Sequence, residues 1–114
     1  MRTNISFRKR KISLNVKKLS AFGRLTGLMF RTQSTENLLF SFSENTDTEF
    51  HSFFVFFPFL MLWLDEKNNV IEWRLIRLFS KIKSPKKKFR NVVEIPCNPK
   101  NEKIIKIFVG RGKI

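Results

Sequence analysis

The stretch FHSFFVFFPFLMLWL, residues 50–64, limits the possible folds of this chain more than any other. A membrane-spanning helix needs about 20 apolar residues, and this run is shorter. Pro58 stands in its middle, where it removes a helical hydrogen bond and clashes with the preceding turn. Asp65 and Glu66 follow at once. The run therefore reads as two strands broken at Pro58, with no transmembrane span. Both SFFVFF and FLMLWL are apolar on each alternating face, as strands covered on both sides are. DEKNN then supplies turn residues and VIEWRLI resumes, with Ile71, Trp73 and Leu75 on one face and Glu72 and Arg74 on the other. That pattern predicts a hairpin of one fully buried and one half-buried strand. The run holds more aromatic rings than a small core absorbs. Part of Phe50–Trp63 is therefore expected on the surface, as an exposed Phe cluster facing a protein partner or a membrane face.

Alternation recurs along the rest of the chain. It predicts strands at 12–17, 38–42, 53–57, 59–64, 70–76, 92–95 and 104–109. Ser20 is placed to cap a short helix carrying Phe22, Leu25 and Met29, which Gly23 and Gly27 weaken. Six or seven short strands and one or two short helices close most economically as a mostly β fold, α+β at the margin. The expected form is a small barrel or strongly curved antiparallel-rich sheet with the helix plugging one side. With 114 residues, one domain over 12–114 is expected, preceded by a basic N-terminal extension, 1–11. The N-terminus lacks the apolar run of a secretory signal, and Ile12, Leu14 and Val16 alternate at strand period instead of forming an amphipathic presequence. Cys97 is the only cysteine, so no intrachain disulfide forms; a reducing, cytoplasmic setting fits.

Charge is the second strong feature. Lys and Arg number 23 against 9 acids, a formal +14. The first 35 residues carry nine of the cations and no acid. Two clusters stand out: Arg8, Lys9, Arg10 and Lys11, and then Lys81, Lys83, Lys86, Lys87, Lys88 and Arg90. If they share a face, they suit sequence-independent contact with nucleic acid or another polyanion. Solvated surface lysines are the competing reading. Phe89 is the one aromatic inside the second cluster, which gives little support to a base-stacking platform.

Catalytic and metal chemistry find few parts. One His and one Cys cannot supply a structural zinc quartet, the four glycines are scattered and form no phosphate loop, and no cofactor is implied. Cys97 with His51 is a conceivable nucleophile and base, but an incidental thiol at a strand end is the simpler reading. The expected function is a non-enzymatic binding or structural module with weak polyanion affinity. The alternative is a small ligand-binding protein or enzyme with an anion or ligand pocket near Arg31 and His51.

Four blocks, GLMFR (27–31), LLFSF (38–42), HSFFVFFPFLMLWLDEKNNVIEW (51–73) and NVVEIP (91–96), resemble the domain of unknown function 192 in order and spacing, and FFVFFP is similar to its archaeal branch. The resemblance implies a compact β-rich domain and no particular activity. Arg31 belongs to the family's first block; a structural role there, holding backbone carbonyls or a carboxylate, is expected ahead of anion binding. Three positions depart from the family pattern: Leu60 stands where an acid is usual, Leu78 precedes Phe79 where proline precedes an aromatic, and Arg111 follows Gly110 where an aspartate is common. Two of these replace a carboxylate, which puts any carboxylate-dependent site in doubt.

Overall fold

The computed structural model describes residues 1–19, 35–47, 50–51, 55–77 and 81–110. Its centre is a five-stranded sheet in the order β3-β4-β9-β6-β7. The strands are β3 (Lys17–Lys18), β4 (Leu38–Thr46), β6 (Phe59–Leu64), β7 (Val70–Ile76) and β9 (Phe89–Pro96). All neighbours run antiparallel except β3 and β4. A hairpin of β1 (Arg2–Phe7) and β2 (Arg10–Asn15) forms a second sheet, and the two-residue strands β5 (Phe50–His51) and β8 (Lys81–Ile82) pair with each other. The fold is mostly β, as expected.

β6 is the keystone. All six of its residues are at most 1 % exposed, because β7 and β9 flank it and both its faces are covered. The alternation of β6 divides the core in two. Leu60, Leu62 and Leu64 join Leu39, Val93 and Ile95 on an inner face, which the hairpin residues Ile5, Phe7, Ile12 and Leu14 cover. Phe59, Met61 and Trp63 join Leu38, Phe40 and Val92 on the other face, which Leu19, Val55, Phe57 and Ile82 cover. Full burial of a side chain of this size contributes about 1.5–3 kcal/mol, so β6 alone accounts for much of what holds the layers together. Leu60 lies wholly inside the inner core.

The sheets curl around that inner core. β2 runs on through Val16 into β3, which pairs with β4. At the other side, Ser6 of β1 bridges to Asn69 at the start of β7. The path β7–β1–β2–β3–β4 is therefore strongly curved. The helix α1 (Glu102–Val109) closes part of the inner core through Ile105 and Phe108, and the Phe108 ring lies 4.3 Å from that of Phe7.

The β6–β7 hairpin matches its expected limits, with Leu62 opposite Trp73 and Leu60 opposite Leu75. Other expectations change. Residues 104–109 are helix, not strand. Six residues of mixed apolar character fit both periods, and the preceding residues decide: the Asn98 side chain accepts from the Asn101 N–H at 3.2 Å, Pro99 begins a 3-10 turn at Pro99–Asn101, and Lys106 pairs with Glu102 at 2.8 Å. Residues 1–11 are not an appendage: β1 buries Ile5 and Phe7, and two apolar residues were too short a pattern to reveal it. Of the strand expected at 53–57, residues 53–54 lie outside the described residues, and Val55–Phe57 are irregular yet bury Val55 and Phe57. The expected exposed Phe cluster is not found in the described part of the run, where Phe56 alone stays open, at 59 %. The helix expected after Ser20 lies outside the described residues. Among them, no helix is long and apolar enough to cross a membrane.

Candidate functional site

The first basic cluster sits on the β1–β2 turn. Arg8 and Lys9 take φ of 50° and 65°, the paired left-handed conformation of a tight two-residue hairpin turn. Such turns favour Asn and Gly, so two long cations here occupy a conformation that is unfavourable for them. Arg8, Lys9, Arg10 and Lys11 are all exposed, and the Arg8 guanidinium stacks over Phe7 at 4.9 Å. In the second cluster Lys81, Lys83, Lys86, Lys87 and Lys88 are exposed, while Arg90 is half-buried.

One asparagine links the elements that carry the two clusters. Asn68, in the β6–β7 turn at φ 63°, accepts at its backbone carbonyl from the Ser6 N–H at 2.9 Å. Its Nδ2 donates to the Asn4 carbonyl at 3.2 Å, and its Oδ1 accepts from Asn91 Nδ2 at 2.9 Å. Ser6 precedes Arg8 by two residues on β1, and Asn91 follows Lys88 by three on β9. At about 3.3 Å per strand residue, both clusters start within roughly 10 Å of chain from this junction. Asp65 holds the turn itself. Its Oδ1 accepts from the Lys67 and Asn69 N–H groups at 2.9 Å each, and its Oδ2 from Asn69 Nδ2 at 3.1 Å. Burial raises the Asp65 pKa, but these donors and the Lys67 charge outweigh it and hold the carboxyl below its ordinary value.

Of the sequence-derived pocket pair, only the His51 backbone falls within the described residues. Arg31 lies outside them. His51 has its backbone on β5, opposite Lys81 of β8. Cys97 is buried and follows the last strand; burial pushes its thiol up to about 11, against a smaller opposing pull from the Arg77 charge. A thiol held protonated in this way is poorly suited to nucleophilic work. No group of three or more possible metal-ligating side chains occurs among the described residues.

Two features escaped the sequence. Glu94 is 4 % exposed in β9, with Leu38 and Met61 as its cross-strand neighbours; its place as an acid in the apolar run VVEI was the available signal. The second, among the described residues, is an amide-lined cleft of about 580 Å³ beside the end of β2 and residues 35–37. Asn15, Asn37, Asn98 and Asn101 contribute to its wall, with Leu14, Val16 and Ile104 as apolar lining. Asn37 Nδ2 donates to the Asn15 carbonyl at 3.0 Å, and Arg2 donates to Asn15 Oδ1 at 3.0 Å. These residues are scattered in sequence, so no local motif announces them.

On the aromatic side of the sheet, Arg74 pairs with Glu72 and donates to the Lys83 carbonyl. Its guanidinium lies 4.7 Å from the Trp63 ring centroid. This anchors the segment leading into the second basic cluster to β7.

Comparison with known proteins settles the family. The model of domain of unknown function 192, described as "Uncharacterized ACR", matches residues 4–107. The chain belongs to the DUF192 family. The match begins inside β1, in keeping with the buried Ile5 and Phe7. Two solved structures share the fold seen here. A protein of unknown function from Novosphingobium aromaticivorans DSM 12444 superposes with a TM-score of 0.73 at 13 % identity, covering 90 % of this chain and 76 % of that one. A protein from Sinorhizobium meliloti 1021, put forward as a transcription regulator, gives 0.72 at 20 % identity, covering 90 % and 82 %. At such identities the likeness establishes the fold alone. No curated protein matches.

Proposed function

We propose that this DUF192 chain is a non-enzymatic binding module that holds polyanions, nucleic acid foremost, on Arg8–Lys11 and the Lys81–Arg90 segment. The observation that carries the reading is the Ser6–Asn68–Asn91 junction, which ties together the two strands leading to these clusters. Nine of the ten cations are exposed. The reading takes binding over catalysis because the exposed chemistry is cationic, while the one thiol is buried and held protonated. The structural neighbour put forward as a transcription regulator is compatible with nucleic-acid contact. A reducing, cytoplasmic setting suits the lone thiol.

The test is a titration with random-sequence RNA and duplex DNA at two salt concentrations. Counterion release predicts that log K falls linearly with log salt, at about 0.9 per phosphate contacted on duplex DNA. Charge reversal of Lys86, Lys87 and Lys88 to Glu is expected to weaken binding for all sequences alike and flatten the slope by about 3. No binding at low salt, where screening is least, ends the proposal.

A further inference from the structure

The β1–β2 hairpin presents two unlike faces. Its register places Thr3 opposite Leu14 and Ile5 opposite Ile12, and Ile5, Ile12 and Leu14 enter the inner core. Side chains alternate across a strand. The other face therefore carries Arg2 opposite Asn15, Asn4 opposite Ser13, and Ser6 opposite Lys11. The bond from Arg2 to Asn15 Oδ1, at 3.0 Å, runs between two neighbours on that face. Arg2, Asn4, Lys11, Ser13 and Asn15 are exposed and Ser6 is half-buried. Short amides and hydroxyls thus fill the middle, with cations at both ends. Arg2 stands at one end; Lys11 and the turn residues Arg8 and Lys9 stand at the other. Arg2 and Arg8 are separated by about 20 Å, at ~3.4 Å per strand residue. Neither strand contains an acid. The ribbon is also held in advance, since the Ser6 N–H and the Asn4 carbonyl are both bonded to Asn68. A surface fixed in this way loses little freedom when a ligand arrives.

Resting on the polyanion reading, we propose that this face lies along the major groove of duplex DNA as a two-stranded ribbon. Two strands about 4.8 Å apart fit a groove about 12 Å wide, where base edges present hydrogen-bond donors and acceptors. Asn4 and Ser13 stand at the middle of the ribbon with matching chemistry: an amide and a hydroxyl each donate and accept. The cations at the ends suit the phosphates that border the groove, which position a protein without reading sequence. Shape then selects among nucleic acids. The major groove of duplex RNA is deep and too narrow for side chains to read. Capture of single strands relies on aromatic stacking, and none of the six outer positions is aromatic. An acidic protein surface would meet the end cations but give the neutral centre no partner suited to it.

The experiment offers the full chain four probes of equal charge at low salt: a random-sequence DNA duplex, the matching RNA duplex, single-stranded DNA and polyglutamate. The DNA duplex is expected to bind about tenfold more tightly than each of the others. Dimethyl sulfate methylates guanine N7 in the major groove and adenine N3 in the minor groove. On the DNA duplex, saturating protein is expected to slow N7 methylation by a factor of about three and leave N3 unchanged. Asn4→Ala with Ser13→Ala removes the central groups and no charge. It is expected to weaken duplex DNA binding about tenfold with the salt slope unchanged. The methylation pattern of the unaltered protein decides the matter even if that variant folds poorly. Equal affinity for the DNA and RNA duplexes overturns the ribbon and leaves the polyanion reading standing, as does protection of adenine N3 in place of guanine N7. Tighter binding of polyglutamate assigns the face to an acidic protein and overturns it too. No binding to any of the four overturns both.

Discussion

Asn91 Nδ2 on β9 donates to Asn68 Oδ1 at 2.9 Å, while the other end of the Asn68 amide donates to the Asn4 carbonyl of β1. A single side chain thus joins the hairpin layer to the central sheet. Asn68 stands at φ 63°, where Asn is among the few residues other than Gly that sit without large strain. Asn68→Ala loses both bonds and keeps the conformational demand, and is expected to cost about 2–4 kcal/mol. Asn68→Gly loses the bonds alone and is expected to cost about 1–2 kcal/mol. Urea unfolding of the two variants checks the order; equal losses would remove the backbone component.

The β1–β2 turn offers a separation of stability from binding. Replacing Arg8→Asn together with Lys9→Gly supplies the residues that paired positive φ favours. It is expected to raise stability by about 1 kcal/mol net of the lost Arg8–Phe7 stacking. The same change removes two exposed cations and is expected to weaken polyanion binding and lower its salt slope by about 2. A thermal melt and a DNA titration on one preparation test both halves.

Cys97 gives a pH-dependent signature. Its thiol titrates near 11 in the folded protein and near 9.0 when exposed. Between those values the unfolded chain has lost the proton and the folded chain keeps it. Stability is therefore expected to fall as pH rises from 9 through 11. At pH 8, the thiolate fraction is smaller by about 100-fold, so alkylation by iodoacetamide is expected to be ~100 times slower than for an open thiol. Cys97→Ser or Ala at constant pH series should flatten the alkaline fall.

Asp65 makes the complementary case at the acid end. Its folded pKa lies below the ordinary 3.8, so its contribution is present at neutral pH and is lost as pH falls below that value toward the depressed one. Asp65→Ala removes the acceptor of two turn N–H groups and is expected to cost about 1 kcal/mol at pH 7. Asp65→Asn keeps an acceptor and is expected to lose less, while abolishing the acid-side dependence. Denaturation at pH 3 and pH 7 distinguishes the two.

The strongest part of the sequence reading was the hairpin. Phe59–Leu64 is apolar at every position and DEKNN breaks it, so both limits and burial follow from composition and turn chemistry alone. The cleft was illegible for the opposite reason. Asn15, Asn37, Asn98 and Asn101 are ordinary loop and cap residues, each explained locally, and nothing in their spacing announces that they meet. Glu94 was visible as an acid within an apolar strand, but its near-complete burial depends on β4 and β6 lying on either side of β9.

What the sequence by itself determined was the class of the molecule: strand period in most segments, a turn at 65–69, and an excess of cations concentrated at two places. These depend on alternation and composition within a few residues, which local physics fixes. Tertiary structure decided three other matters. It drew Ile5 and Phe7 into the core, because their partners Phe108 and the inner face of β6 are remote in sequence. It let 102–109 become a helix, since Ile105 and Phe108 are both buried at helical spacing while the Asn98–Pro99 cap starts the turn. And it gathered Asn15, Asn37, Asn98 and Asn101 around one cleft, because β2, residues 35–37 and the turn before α1 are remote in sequence and meet only in the folded chain.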